Sequence, residues 1–313
     1  MCGHNETKVT EIHLLGFQSL QNFKPLLFFA LLLLYIAIAG GNLSIVFLVS
    51  TSDNLKTPMY FFLKNLAIAD VLLTTSIVPM MLELILKSKG SISLDDCITQ
   101  LYFYGISGFV QCFLLAVMAY DRYVALSNPL NYILIMKSSL CFRFVFGSWA
   151  ITFYLTTSEI ILIGQFEFCG GSNLDQFFCD YSPLVELSTS DTSVVLWIDF
   201  VYALFTLFVP LTIILVSYIY IFITILKIRS FTGRKKTFST CSSHLTTVCV
   251  YYGTFIAIYI IPSNERMSDL DKYRSLLYTV VTPLMNPIIY SLRNAELNQA
   301  FHKKVKKHLI LKL

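Results

Sequence analysis

Long apolar stretches alternate with short polar segments along the whole chain. The stretch at residues 101–119, for example, is mostly apolar and ends in Tyr120-Asp121-Arg122-Tyr123. An apolar stretch of about 18 residues or more predicts a helix that crosses a lipid bilayer. We count seven such segments, at about residues 25–49, 58–82, 99–120, 140–163, 196–226, 238–262 and 275–292. The pattern predicts an all-α fold, a bundle of seven transmembrane helices.

The composition leaves no room for a separate soluble domain. Of the 313 residues, 56% are hydrophobic and 13% are charged, whereas a soluble domain has about 25% charged residues. We therefore expect a single domain over residues 1–313, with an N-terminal segment at 1–24, the bundle at 25–292 and a tail at 293–313. The tail repeats an apolar residue every four positions beside lysines, which predicts a short amphipathic C-terminal helix at the membrane surface. The repeated positions are Leu297, Phe301, Val305 and Leu309.

The basic residues predict the orientation in the membrane. With the N-terminus outside, fifteen lysines and arginines lie on the cytoplasmic side and seven on the outer side. Cytoplasmic loops carry an excess of these residues, so we expect a multi-pass plasma-membrane protein with an extracellular N-terminus. The first 20 residues lack the basic and apolar regions of a cleaved signal peptide. In this topology Asn5 is a candidate glycosylation site, although such triplets are common by chance.

Four polar side chains interrupt the apolar helices: Asn42, Asp70, Gln111 and Asn286. Unsatisfied polar groups are costly in lipid, so we expect these residues to face one another in the core of the bundle. Two interpretations stay open. The side chains only hold the helices together by hydrogen bonds, or they form a hydrated, cation-binding cluster that rearranges on activation. Pro287 follows Asn286 and predicts a deformable kink at the inner end of the last helix.

Several motifs occur along the chain in a fixed order. Together they resemble the motifs of the rhodopsin-like G-protein-coupled receptors and, within that family, of the olfactory (odorant) receptors. The resemblance runs over nearly the whole chain. The motifs are Gly41-Asn42, Pro58-Met59-Tyr60-Phe61-Phe62-Leu63, Met118-Ala119-Tyr120-Asp121-Arg122-Tyr123-Val124-Ala125, Ser217-Tyr218, Lys236-Thr237-Phe238-Ser239-Thr240-Cys241-Ser242-Ser243-His244-Leu245 and Pro283-Leu284-Met285-Asn286-Pro287-Ile288-Ile289-Tyr290-Ser291-Leu292-Arg293-Asn294.

The resemblance implies a receptor for sensory transduction, with no enzymatic activity, no cofactor and no nucleic-acid partner. A small, mostly apolar odorant would bind within the helix bundle. A stimulatory olfactory-type heterotrimeric G protein would then be activated and raise cyclic AMP. Arg122 would be held in the resting bundle and released when the sixth helix moves outward. The residues implied in this coupling are Asp121, Arg122, Tyr123, Tyr218, Asn286, Pro287 and Tyr290.

Helical spacing gives candidate ligand-facing residues on four helices, and the resemblance turns these faces toward a pocket in the outer half of the bundle. Packing between helices without any ligand is the alternative for each of them. Tyr252 is the best single candidate for relaying ligand contact to the sixth helix. The candidates are Tyr104, Gly105, Gly108, Phe109, Cys112, Asp199, Tyr202, Thr206, Tyr252, Phe255, Ile256, Tyr259, Leu276 and Thr279.

Two acidic residues decide whether we expect a neutral or a positively charged ligand. Asp199 and Glu159 lie near the outer ends of their helices, where they would pair with a protonated amine or point to the lipid headgroups. The position at which aminergic receptors carry an aspartate is Tyr104 in this chain. We expect a neutral ligand and leave an amine open.

Three cysteines fall on the outer side: Cys97, Cys169 and Cys179. An odd number allows at most one bridge among them. A Cys97–Cys179 bond would pin the long outer loop across the mouth of the bundle, and we expect this bond. The family carries a further loop cysteine where this chain has Thr189, so Cys169 is expected to lack its usual partner. Gln111 likewise replaces the usual acid of the third helix, which should weaken any sodium binding.

Two other classes of membrane protein fit the sequence less well. A channel or transporter would show repeated halves or matched interrupted helices, and the sequence has neither. An intramembrane enzyme would show a catalytic motif such as His-Glu-x-x-His or Gly-x-Ser-x-Gly, which is also missing.

Overall fold

The computed structural model describes residues 8–17, 23–87, 90–259, 268–293 and 295–310. Asn5, the candidate glycosylation site, lies outside these residues. The fold is all-α, and its seven long helices confirm the predicted fold class. These helices are α1 (Lys24–Thr51), α2 (Pro58–Lys87), α3 (Leu94–Ser127), α4 (Ser138–Ile163), α5 (Ser193–Lys227), α6 (Phe231–Tyr259) and α7 (Ser268–Arg293).

The bundle is built for an apolar surrounding. Five described helices, α1 to α5, are long enough and apolar enough to cross a membrane. Their outward faces carry large apolar side chains that no other described part of the chain covers, such as Leu33, Phe208 and Phe222. In water such a surface would be unfavourable, but in lipid it is the normal outer face of a bundle. The protein is therefore a multi-pass membrane protein.

Two proline residues explain irregular turns in α5 and α7. Pro210 follows a π-helical turn at Leu204–Phe208, and Pro283 follows one at Leu277–Val281. A proline has no N–H and its ring clashes with the carbonyl four residues earlier. That carbonyl falls inside the wider π turn in both helices, where the extra residue relieves the clash. Each π turn also rotates the face of its helix relative to a regular α-helix.

A small sheet covers part of the outer side and was not predicted from the sequence. Its strands are β1 (Glu11–Leu14), β2 (Gly90–Ser93) and β3 (Asn173–Leu174), in the order β2-β1-β3. β1 pairs antiparallel with β2 and parallel with β3. The alternation in β1 buries Ile12 and Leu14, as expected for a strand with one covered face. The N-terminal segment is thus part of the outer cap.

The long outer loop between α4 and α5 is fixed to the bundle at three points. Cys97 at the start of α3 is bonded to Cys179, with their Cα atoms 5.4 Å apart. The Cys179 N–H also donates to Gln100 Oε1 at 2.8 Å. An ion pair joins Lys272 of α7 to Asp175 of the loop. The adjacent side chains of Phe177 and Phe178 are fully buried, so the loop closes the outer end of the bundle.

Although the position of its usual partner is Thr189, Cys169 is disulfide-bonded. Its partner is none of the other described cysteines, since Cys97 is bonded to Cys179 and the remaining four are free. Thr189 takes no part in a bridge but still contacts this region, because its hydroxyl donates to the Glu167 carbonyl at 3.0 Å. Counting only three outer cysteines therefore underestimated the cross-linking of the cap.

The predicted C-terminal amphipathic helix is present as α8 (Ala295–Ile310). Leu297 is buried against the bundle, whereas Phe301 is exposed. The Tyr60 hydroxyl of α2 donates to Glu296 Oε2 at 2.8 Å. Lys304 Nζ donates to the Thr51 carbonyl at the end of α1 at 3.3 Å. These contacts hold the helix beside the inner ends of α1 and α2.

Candidate functional site

Five aromatic side chains meet between α3, α6, α7 and the outer loop, and we call them the aromatic cluster: Tyr104, Phe178, Tyr251, Phe255 and Tyr278. The Tyr104 ring lies 5.2 Å from Phe178 and 6.0 Å from Tyr278. Phe255 lies 5.0 Å from both Tyr251 and Tyr278. Aromatic pairs at these separations attract each other in tilted or edge-on arrangements. The cluster therefore links three helices just below the outer cap.

The aromatic cluster is tied to α3 by a hydroxyl and fitted to it by a glycine. The Tyr251 hydroxyl donates to the Gly108 carbonyl at 2.8 Å and lies 3.0 Å from Cys112 Sγ. A Cβ atom added to Gly108 would lie only 2.6 Å from the Tyr278 hydroxyl oxygen. Since real Cβ atoms do not approach so closely, any larger residue here would force the Tyr278 side chain to move. Three predicted candidates, Tyr104, Gly108 and Cys112, are thus brought together.

Two of the predicted ligand-facing residues lie away from the aromatic cluster. Gly105 faces α4, because a Cβ added there would lie 3.1 Å from Thr156 Cγ2. Ile256 is 54% exposed on the outside of the bundle. Helical spacing groups residues on one side of a helix, but a residue only one position away already faces a different neighbour. The predicted ligand-facing side of each helix was therefore too wide.

Tyr252, the predicted relay, does not lie at the centre of the aromatic cluster. Its ring is 5.4 Å from Tyr251, but its hydroxyl points toward α5, 3.5 Å from the Leu207 carbonyl. The contact with α3 is made by Tyr251 instead. The side chain of Tyr259 lies outside the described part of the chain.

The remaining candidates on α3 and α7 surround the aromatic cluster without a polar contribution to it. Phe109 and Leu276 are half-buried. Thr279 is fully buried, and its hydroxyl donates to the Ser275 carbonyl of its own helix at 2.8 Å. The Thr279 hydroxyl is therefore already occupied within α7.

The candidates on α5 belong to a second polar contact, between α4 and α5. The Tyr202 and Ser158 hydroxyls are 3.0 Å apart. Thr206 donates to the Tyr202 carbonyl at 2.8 Å. Asp199 lies beside the buried Glu159 of α4. Asp199 and Tyr202 thus contact α4, whereas Thr206 bonds within α5. No described hydrogen bond joins these side chains to the aromatic cluster.

The outer loop adds one more acid near this contact. Burial, the larger cause, and the Asp199 carboxylate together raise the pKa of Asp180 from its usual 3.8 to about 6, against the opposing hydrogen bond from the Tyr181 N–H. That bond, at 2.8 Å, caps the short helix Tyr181–Glu186. The loop therefore carries a group that titrates near neutral pH.

Sequence reasoning missed Tyr251, Tyr278 and Phe178. Tyr251 could have been found, because it precedes Phe255 by four residues and so shares its helical face. Tyr278 could not, because it lies in the π turn of α7, where a spacing of 3.6 residues no longer predicts the face. Phe178 lies in a loop, whose fold no local periodicity predicts.

Three of the four predicted polar core residues make contacts between helices. Asn286 of α7 donates to Asp70 Oδ2 of α2 at 2.8 Å. Asn42 of α1 donates to the Pro283 carbonyl of α7 at 3.2 Å. Gln111 is fully buried, yet neither of its amide atoms has a hydrogen-bond partner among the described residues. The expected convergence thus holds for Asp70 and Asn286, while Gln111 lies apart.

Comparison with known proteins decides the family. A family model described as "Olfactory receptor" matches residues 31–310. The chain belongs to the olfactory receptor family. It is therefore a receptor and not an enzyme.

Similar proteins support the same assignment along the full chain. Olfactory receptor 5G3 of Homo sapiens is 43% identical, with 97% of this chain and 96% of the relative covered. Olfactory receptor 5G9 of Mus musculus is 41% identical over 98% of both chains. Olfactory receptor 1f45 of Rattus norvegicus is 41% identical over 97% of both.

At the inner end of the olfactory receptor, Arg122 is paired with its neighbour. Arg122 Nε donates to Asp121 Oδ2 at 3.0 Å, and the Tyr132 hydroxyl donates to Asp121 Oδ1 at 2.8 Å. Tyr132 belongs to the short helix Tyr132–Ile135 of the following loop. Burial and the Asp121 carboxylate raise the pKa of Tyr132, which keeps its hydroxyl a donor. Asp121 therefore has two partners and holds the guanidinium of Arg122.

A second inner contact joins α3, α5 and α6 of the olfactory receptor. His244 of α6 lies with Nδ1 2.8 Å from the Tyr218 hydroxyl and with Nε2 3.1 Å from the Leu115 carbonyl. The rings of Tyr218 and His244 are stacked. Tyr123 lies 5.6 Å from Tyr220 of α5. His244 was part of a quoted motif but was not predicted as a functional residue.

Tyr290, another predicted coupling residue, is buried near the same end. Its hydroxyl approaches Thr247 of α6. Ile221, Ile225 and Cys241 pack together between α5 and α6. The inner ends of α3, α5, α6 and α7 are thus in mutual contact, which is a closed arrangement.

Proposed function

We propose that this olfactory receptor binds a small, mostly apolar odorant at the aromatic cluster and activates a stimulatory olfactory-type heterotrimeric G protein, which raises cyclic AMP. The plasma membrane, with the N-terminus outside, is the expected location. The observation that carries the proposal is the hydrogen bond from the Tyr251 hydroxyl of α6 to the Gly108 carbonyl of α3. It lies inside the aromatic cluster, where a ligand would compete with it.

α6 is tied to α3 at two levels. We call the hydrogen bond from Tyr251 to the Gly108 carbonyl the outer tie, and the one between His244 and the Leu115 carbonyl the inner tie. Seven residues separate the two carbonyls, which is about two helical turns or roughly 10 Å along α3. Both ties favour the closed arrangement. A ligand that replaces the outer tie lowers the free energy of an open arrangement relative to the closed one, and so shifts the population toward the open one.

The G protein would bind where the inner tie and the Arg122 pair now close the bundle. Opening at this end would move α6 and expose the Arg122 guanidinium, which Asp121 holds in the closed arrangement. Lys227, Arg229, Arg234 and Lys235 lie near the same end and favour an acidic partner segment.

The surroundings of the aromatic cluster support a neutral ligand with one hydrogen-bonding group. Ring faces and edges supply apolar contact, and the Tyr251 hydroxyl and Gly108 carbonyl supply a donor and an acceptor. A ligand of about ten heavy atoms, at about 0.5 kcal/mol per atom, would have a dissociation constant of about 0.2 mM. Weak binding suffices, because activation depends on the difference in affinity between the two arrangements.

An amine is the second candidate ligand class, and one observation favours it. Glu159 is only 6% exposed, and its Oε1 atom has no hydrogen-bond partner among the described residues. The Glu159 carboxyl group shares a hydrogen bond with Asp199, but a buried oxygen without a partner is costly, and a protonated amine beside the two acids would relieve that cost. If this is the ligand site, Glu159→Gln abolishes the response to amines and spares neutral odorants.

The test compares two neighbouring tyrosines. Cells that express the receptor with a stimulatory olfactory-type G protein are assayed for cyclic AMP across neutral odorants and amines. Tyr251→Phe removes the tie to Gly108, whereas Tyr252→Phe removes only a long contact to Leu207. We expect a higher basal signal and altered odorant potency for Tyr251→Phe alone, at matched surface expression.

If Tyr251→Phe and Tyr252→Phe have the same basal signal and the same odorant potency, the proposed ligand site at the aromatic cluster is contradicted. A parent receptor that reaches the surface but answers no compound in the presence of this G protein would contradict the proposed coupling. Both variants keep the phenyl ring, and the comparison at matched surface expression separates a change in signal from a change in folding.

A further inference from the structure

A groove of about 470 Å³ runs along the inner half of the bundle, over α3 and between α4 and α5. Phe113 and Val117 of α3 form its floor. Phe144 and Gly147 line one wall and Ile213 lines the other. The groove is distinct from the aromatic cluster, with which it shares no residue.

The groove opens to the lipid-facing surface. α4 and α5 touch at their outer ends, where the Ser158 and Tyr202 hydroxyls are 3.0 Å apart. Toward the inner side the two helices leave α3 accessible between them. Ile151 and Ile213, on opposite rims, are 39% and 42% exposed. A lipid in the bilayer therefore reaches the groove without entering the bundle.

The groove is lined mainly by apolar side chains, and its one charged residue, Arg143, lies at one end. Arg143 is exposed and lies in the second turn of α4, near the cytoplasmic side. Within the part of the chain that the structure describes, Arg143 has no ion pair and no hydrogen bond of its side chain. A lone cation beside an apolar groove matches an anionic headgroup on an acyl chain.

We propose that this groove binds an anionic phospholipid of the inner leaflet, with its phosphate on Arg143 and an acyl chain along α3. The acyl chain gains little by leaving one apolar surrounding for another, so the preference must come from the charge. One basic residue near the membrane surface contributes a preference of about fivefold for an anionic over a zwitterionic lipid. Tyr120, which also lines the groove, precedes Asp121, so the bound lipid lies beside the inner end of α3.

The experiment measures lipid bound to the purified full-length receptor by native mass spectrometry, with phosphatidylserine and phosphatidylcholine of identical chains in competition. We expect about fivefold preference for phosphatidylserine in the parent. Arg143→Gln should abolish that preference. Lys137→Gln is the matched control, since it removes an exposed cation from the start of the same helix but outside the groove. An unchanged preference in Arg143→Gln would overturn the proposal.

A second variant tests the groove separately from the charge. A Cβ added to Gly147 meets no atom within 4 Å, so Gly147→Phe should fill the groove without distorting α4. We expect it to lose both lipids while it keeps Arg143. Ile151→Trp, at the exposed rim, serves the same purpose if Gly147→Phe does not fold. Lipid binding unchanged in a folded groove-filling variant, or displacement of the lipid by soluble glycerophosphoserine, would overturn the role of the groove.

Discussion

The outer and inner ties between α6 and α3 both end on a backbone carbonyl of α3, but their surroundings differ. The outer tie, from Tyr251 to the Gly108 carbonyl, is surrounded by the aromatic rings of Tyr104, Phe255 and Tyr278. The inner tie, from His244 to the Leu115 carbonyl, is shared with the hydroxyl of Tyr218. The rings around the outer tie are suited to contact with an apolar ligand. The polar partners of the inner tie are suited to an exchange of hydrogen bonds between two arrangements. One helix pair can thus sense a ligand at one level and respond at another.

The largest effect is expected from closing the space at Gly108. In Gly108→Ala, the new Cβ would lie 2.6 Å from the Tyr278 hydroxyl oxygen. Overpacking of this kind costs about 1–3 kcal/mol, so we expect odorant potency to fall about five- to 150-fold. Gly40→Ala is the control, because a Cβ there meets nothing within 4 Å and the gain in helix propensity is the same. Equal dose–response curves for the two variants would show that Gly108 is not at the site.

Next comes the inner tie. His244→Phe keeps a ring of similar shape but removes both hydrogen bonds, to Tyr218 and to the Leu115 carbonyl. At about 1 kcal/mol for each of the two bonds, we expect roughly thirtyfold higher basal cyclic AMP without ligand. Odorant affinity should change far less than in Gly108→Ala. A basal signal equal to that of the parent, at matched surface expression, would mean that His244 does not hold the closed arrangement.

The outer tie alone should have a smaller effect on the basal signal. Tyr251→Phe removes the hydrogen bond to the Gly108 carbonyl and a weaker one with the Cys112 thiol. The bond to the carbonyl, at about 1 kcal/mol, corresponds to about fivefold in the basal signal. If the two ties act on one equilibrium, the double variant Tyr251→Phe, His244→Phe should show the sum of the two free-energy changes. Basal cyclic AMP of the two single variants and the double variant provides the measurement. A double variant with no higher basal signal than His244→Phe would show that the two ties do not act on one equilibrium.

The smallest effect concerns the outer loop. The pKa of Asp180 is raised to about 6 from 3.8, so the folded receptor holds a proton that the unfolded chain releases. The stabilisation is complete below about pH 4 and is lost as the pH rises through 6. We expect Tm of the purified receptor to fall by a few degrees between pH 5 and 7. Asp180→Asn keeps an acceptor for the Tyr181 N–H and should not show this fall; a parallel fall in both would assign it to another group.

The sequence predicted the helices well and the site only partly, and particular residues show why. The helices follow from apolar runs, which are local, so their number and approximate bounds were correct. Tyr104, Gly108 and Cys112 were placed together because regular spacing holds along α3. Gly105, Ile256 and Tyr252 were misplaced because spacing does not say which neighbouring helix a face meets. Tyr278 was missed because the π turn before Pro283 shifts the face of α7.

The sequence by itself determined the membrane class, the helices, the receptor family and the residues that form the inner motifs. These depend on local composition and on the order of motifs. The tertiary structure decided which tyrosine of α6 reaches α3, that β1 joins the outer cap, that Cys169 is bonded, and that α4 and α5 leave a groove with Arg143 at its end. Each of these depends on contacts between residues far apart in the chain, and such contacts are set by the packing of whole helices rather than by local periodicity.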